Sequence, residues 1–188
     1  MHSGWGILVA VTDGAEVIDR RHITVIGDGM PGGKQPYHHA EELGLAEAEK
    51  YLAAYISECN CLARDEMKGV ISAFKTRGYR IATAALVLAA GRTLPALPQI
   101  LAAHPLIHTA EGELFREVVR CACESLNIPV MGYRERDLAT CAKESLAESA
   151  PECMRQLTKG GKSLGPPWTA DHKSAALAAC LALNSLTR

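Results

Sequence analysis

The 188 residues carry 20 basic and 21 acidic side chains, a formal net charge of −1, so the chain as a whole lacks the electrostatic footprint of a nucleic-acid binder. That leaves open an enzyme that gathers positive charge on one face. With 48% hydrophobic and 22% charged residues, the composition is that of a globule able to bury a core, and the length suits a single domain over 1–188.

The start, WGILVAV, follows no Lys or Arg and reads as a strand rather than the apolar core of a secretory signal. No run approaches the ~20 apolar residues of a membrane span. Seven cysteines, an odd number, then imply reduced thiols in a cytoplasmic protein. The pairs Cys59/Cys61 and Cys121/Cys123 have C-x-C spacing, which on a helix points the two thiols different ways; they read as small apolar residues rather than a zinc knuckle.

In chain order, WGILVAVTDGAEVIDRRHITVI forms two β-rich runs around Thr12-Asp13-Gly14-Ala15, a hairpin signal. GDGMPGGKQP (27–36) is a loop by composition; its G-x-G-x-x-G match follows a hairpin strand and contains a proline, so it lacks the context of a dinucleotide fingerprint. The spacing predicts one helix over 40–57 and another over 65–76, with Asp65 as its cap and Gly78 closing it. YRIATAALVLAA (79–90) suits a central strand buried on both faces. A short helix or turn over 94–103, an amphipathic helix over 110–126 and a strand over 128–133 follow. The chain then continues with a helix over 137–148, a basic connector over 151–165 containing KGGKS, and a terminal helix over 170–186. This order predicts an α/β fold whose mixed β-sheet has an antiparallel N-terminal hairpin and flanking helices.

Three polar clusters carry chemistry. In AHPLIHTAEGELFRE, His104, His108 and Glu111 stand at i, i+4 and i+7, a divalent-metal set if one helix runs through all three. Pro105 and Gly112 oppose that helix, and the competing reading has Thr109 capping 110–126 while Glu111 and Glu113 complement its dipole. In QPYHHAEE, Tyr37, His38 and His39 stand ahead of a helix beginning at Glu41-Glu42; convergence with His104, His108 and Asp171 is the functional alternative. In WTADHKS, Thr169 is a good N-cap, and Asp171, His172 and Lys173 occupy the first turn of the terminal helix.

GILVAVTDG, the run from ALVLAAGR through SLNIPV, and DHKSAALAACLAL together resemble the RNase H-like superfamily, and within it RuvC-type Holliday-junction resolvases. The resemblance is one of pattern and order over most of the chain. It implies carboxylates converging on two Mg²⁺ or Mn²⁺ ions that activate water for hydrolysis of structured nucleic acid. Asp13 matches the first-strand acid, although it stands in the turn, and Asp171 matches the terminal-helix acid. Ser174 stands where the family has a second terminal acid, and LVLAAGR ends without one. The implied set is therefore Asp13 and Asp171 with Glu111 or Glu113, and His172 or His108 assisting proton transfer. Two alternatives stand beside this nuclease: a non-catalytic binding or assembly module of the same fold, dimerising through a helical face, and a small-molecule or metal-binding protein built on a His-rich rim. Clustering of His38, His104 and His108 is the observation that favours the last.

Overall fold

The computed structural model describes residues 1–89 and 93–186. Helices and strands both occur, in the predicted α/β order, but among the described residues the expected mixed sheet is two separate two-stranded sheets, an antiparallel hairpin and a parallel pair, and these residues divide into two compact units. No helix among them is long and apolar enough to cross a membrane.

The first unit comprises Met1–Gly6, Thr24–Arg80 and the described part of Arg92–Asn127. It holds α1 (Pro36–Glu41), α2 (Leu45–Thr76), α3 (Leu97–Leu101) and α4 (His104–Ser125), with α2 packed along α4. The two helices expected over 40–57 and 65–76 are one continuous α2 of 32 residues, about 48 Å at 1.5 Å per residue. Asp65 lies inside it and pairs with Lys68 at 2.8 Å instead of capping. No proline interrupts the intervening ECNCLAR stretch, so both apolar stripes fall on one face: Ala48, Leu52, Tyr55, Cys59, Ala63, Met67, Val70 and Phe74 are all buried. The end is as expected: Gly78 takes φ +81° while the amides of Gly78 and Tyr79 bond the carbonyls of Lys75 and Phe74. On α4 the inward residues Leu114, Phe115, Val118, Val119 and Ala122 are buried as their period requires.

The second unit comprises Ile7–Ile23 and the described parts of Ile81–Gly91 and Ile128–Arg188. Most of an antiparallel hairpin lies here, β1 (Trp5–Val11) and β2 (Val17–Thr24). Its turn differs from the expected Asp-Gly pair. The amide of Ala15 bonds the Thr12 carbonyl, Thr12 N–H bonds the Glu16 carbonyl at 2.9 Å, and the positive φ falls on Ala15 (60°). β3 (Ala84–Leu88) and β4 (Val130–Arg134) form a parallel ladder with Leu86 opposite Gly132. The apolar run 79–90 is thus a strand only from Ala84. Only Leu86 of β3 is buried and its other four residues are half-buried, so the strand is not covered on both faces as expected, and it has one hydrogen-bonded neighbour among the described residues; Ala90 lies outside the described residues.

The core of this unit gathers Val9 and Val17 with Leu138, Leu146, Leu157, Leu177 and Leu181 from α5 (Leu138–Leu146), α6 (Ala150–Ser163) and α7 (Ala170–Leu186). The connector expected over 151–165 is α6, and KGGKS is part of that helix. Gly160 and Gly161 are buried there, since a Cβ at Gly160 would stand 2.6 Å from Val17 Cβ and one at Gly161 would overlap the Trp168 ring. Absent side chains let α6 approach its neighbours closely enough to outweigh glycine's weak helix propensity. Arg20 of β2 donates to the carbonyls of Leu164, Pro166 and Pro167, holding the segment that leads into α7.

Candidate metal centre

The first unit brings three imidazoles together. His38, His104 and His108 each offer a ligand nitrogen within 4.8 Å of the others, and their ring centroids lie 4.5–5.0 Å apart. Two come from α4. The helix starts at His104, so Pro105 falls in the first turn, where its missing N–H has no intrahelical partner to lose. The objection that Pro105 raises against a helix through His104 is thereby removed, and so is Thr109 as a cap: Thr109 lies inside the helix and its hydroxyl donates to the Pro105 carbonyl at 2.9 Å. His104, His108 and Glu111 then share one face at i, i+4 and i+7.

The third imidazole comes from α1, which includes Tyr37, His38 and His39 rather than following them. Pro36 opens this short helix, and its position is set by the loop before it. Tyr51 and Tyr55, one turn apart on α2, donate to the loop carbonyls of Pro31 and Gly33. Gly32, at φ +74°, lies so close to the Tyr51 hydroxyl that a Cβ could not be accommodated. Burial, with lesser contributions from Cys59 and Glu111, pushes Tyr51 up to about 12, so its hydroxyl keeps its proton as a donor. Beside His38, burial and then the Glu111 charge raise Tyr37, which packs between Ala40, Leu52 and the Ile100/Ile107 cluster.

Glu111 organises the histidines. It is 3% exposed, a burial that carboxylates adopt when paired. Its Oε1 accepts from His38 Nδ1 at 2.9 Å and from the His38 amide at 3.4 Å, and its Oε2 faces His108 Nδ1 at 3.9 Å. A carboxylate oxygen accepts, so this contact uses Nδ1 as the His38 donor and leaves Nε2 as the nitrogen that can offer a lone pair. Nε2 of His104 and Nε2 of His108 approach to 3.0 Å, one donating to the other. That separation is close to the ~3.3 Å between two nitrogens of a tetrahedral zinc ion at its usual Zn–N distance.

The other sequence candidates are placed as follows. His39 meets the Tyr51 ring edge-on at 4.7 Å. Glu113 pairs with Arg116 at 3.1 Å on α4, as Glu117 does with Arg120 at 3.2 Å. In the second unit Asp13 is exposed in the hairpin turn and accepts the Gly14 amide at 2.9 Å. Asp171 and Lys173 are exposed on the first turn of α7, while His172 is buried between them. His172 Nδ1 accepts the Thr169 amide at 3.2 Å and lies 2.7 Å from the Thr169 hydroxyl, closing the helix start as the acid of a capping box would. Burial, then the Arg20 charge, lowers the His172 pKa, with Asp171 opposing.

All seven cysteines are free thiols, and the C-x-C pairs split as helix geometry requires: Cys59 and Cys123 are buried, Cys61 and Cys121 exposed. Sequence reasoning missed Tyr51 and Tyr55 as anchors of the loop ahead of α1; their i, i+4 spacing was the available signal. No protein-family model, curated protein or solved structure matches the chain.

Proposed function

We propose that this protein binds a divalent transition metal through His38, His104 and His108, with Glu111 as the carboxylate that orients His38. The observation that carries the reading is the convergence of three imidazole nitrogens within 4.8 Å, backed by a buried carboxylate on His38 Nδ1. Metal-binding histidines commonly give their second ring N–H to such a carboxylate, which fixes the tautomer and raises the basicity of the ligating nitrogen. A nitrogen donor set suits zinc, cobalt, nickel or copper better than the magnesium or manganese implied by an all-carboxylate centre. Binding would displace the proton shared by the two Nε2 atoms of His104 and His108. Calorimetric titration of chelator-treated protein with Zn²⁺ and Co²⁺, with Mg²⁺ and Mn²⁺ in parallel, tests this. The expected result is one Zn²⁺ or Co²⁺ per chain, lost in His104→Ala and His108→Ala. Saturation by Mn²⁺ alone, or unchanged Zn²⁺ binding in both variants, would refute it.

The RNase H-like resemblance supports a second proposal, a metal-dependent nuclease acting on structured nucleic acid through Asp13 and Asp171. In its favour are the chain order of hairpin, helices, strand, helix, strand and helices, the parallel pairing of β3 with β4, and an acid in the first turn of α7. Mg²⁺-dependent cleavage of branched DNA, abolished by both Asp13→Asn and Asp171→Asn, is the result it requires.

A further inference from the structure

The three-histidine set has a consequence for what the metal can do, and the inference rests on the metal-binding reading above. A tetrahedral ion needs four donors. Structural centres fill all four from the protein, whereas centres that act on substrates leave one to solvent. Among the described residues the cluster holds His38, His104 and His108 and no fourth His, Cys, Asp or Glu. Glu111, which neighbours the cluster without belonging to it, has its Oε1 engaged by His38 and its Oε2 turned to His108 Nδ1 at 3.9 Å, with its side chain only 4% exposed. By contrast, His104 and His108 are exposed, and the His108 side chain is 55% accessible.

Charge sharpens the point. Three neutral imidazoles leave a divalent ion its full +2, and Glu111 behind them returns only −1. A centre with two or more thiolate ligands would be neutralised; this one would not.

We infer that a metal held by His38, His104 and His108 keeps an exchangeable fourth position, open to solvent, which takes hydroxide or another small monodentate anion. The centre is thereby of the Lewis-acid kind, not a structural clip.

Cobalt reports this directly, because the visible ligand-field bands of Co²⁺ change with its fourth ligand. The experiment loads the wild-type chain with Co²⁺ and titrates sodium azide, with sodium perchlorate at matched ionic strength as the control. The expected result is a saturable shift in band position and intensity with azide and none with perchlorate. Co²⁺ bands unmoved by azide would overturn the open position while leaving metal binding intact. Failure of the wild-type chain to bind Co²⁺ at all would overturn the metal reading itself, and this inference with it.

Discussion

Replacing Glu111 with Gln removes a buried charge while keeping the shape of the side chain. In the native arrangement Oε1 takes two donors from His38, its ring Nδ1–H at 2.9 Å and its amide at 3.4 Å, and Oε2 faces His108 Nδ1 at 3.9 Å. The amide oxygen of Gln can still accept from His38, so the metal-free fold changes in stability by no more than about 1 kcal/mol, the net worth of one hydrogen bond. Metal binding responds differently. The neutral amide no longer raises the basicity of His38, and its NH₂ offers the His108 ring a donor where the carboxylate offers an acceptor. Loss of such a carboxylate typically weakens metal binding about 10- to 100-fold. At 1.36 kcal/mol per decade this is about 1.4–2.7 kcal/mol, and the extra stability conferred by saturating Zn²⁺ falls by the same amount. Chemical denaturation of wild type and variant, each with and without Zn²⁺, gives both numbers from one set of curves. Equal stabilisation by Zn²⁺ in the two proteins would refute the orienting role of Glu111. A loss of several kcal/mol in the metal-free variant would show instead that Glu111 serves the fold.

Further outcomes follow from the packing. Phe115 is completely buried on α4, so Phe115→Ala should cost about 3–5 kcal/mol in denaturant unfolding; a cost under 1 kcal/mol would contradict that burial. Gly160→Ala places a methyl 2.6 Å from Val17 Cβ and should destabilise by about 1–3 kcal/mol despite its better helix propensity, with Val17→Ala in the same chain relieving part of the strain. His172→Ala leaves the Thr169 amide without its acceptor and should cost about 0.5–2 kcal/mol, the usual range for a lost helix cap. Under native conditions Ellman's reagent should modify Cys61 and Cys121 quickly, with Cys59, Cys123, Cys153 and Cys180 reacting only on unfolding, as peptide mapping can verify.

Much of this protein is determined locally and can be read from its sequence. The inward stripe of α4, the helix closed by Gly78, the terminal helix after Thr169 and the opposed directions of each C-x-C pair all follow from periodicity and end signals. The spacing of His104, His108 and Glu111 was equally visible as a face. Whether the helix began early enough to include His104 turned on Pro105, whose effect depends entirely on its place within the helix.

The rest was decided by tertiary structure. His38 stands 66 residues before His104 in the sequence, and no local rule joins them; the loop carrying it into α1 is tied to α2 by Tyr51 and Tyr55. KGGKS looks like a flexible turn because glycine favours turns in isolation, yet it is helical where Val17 and Trp168 leave no room for side chains. Glu111 shows the same division. Alone it is an acid near a helix start, a residue the dipole welcomes. Buried against His38 it becomes the acceptor that ties the α1 imidazole to the face of α4 bearing His104 and His108, because burial withdraws the water that would otherwise satisfy it.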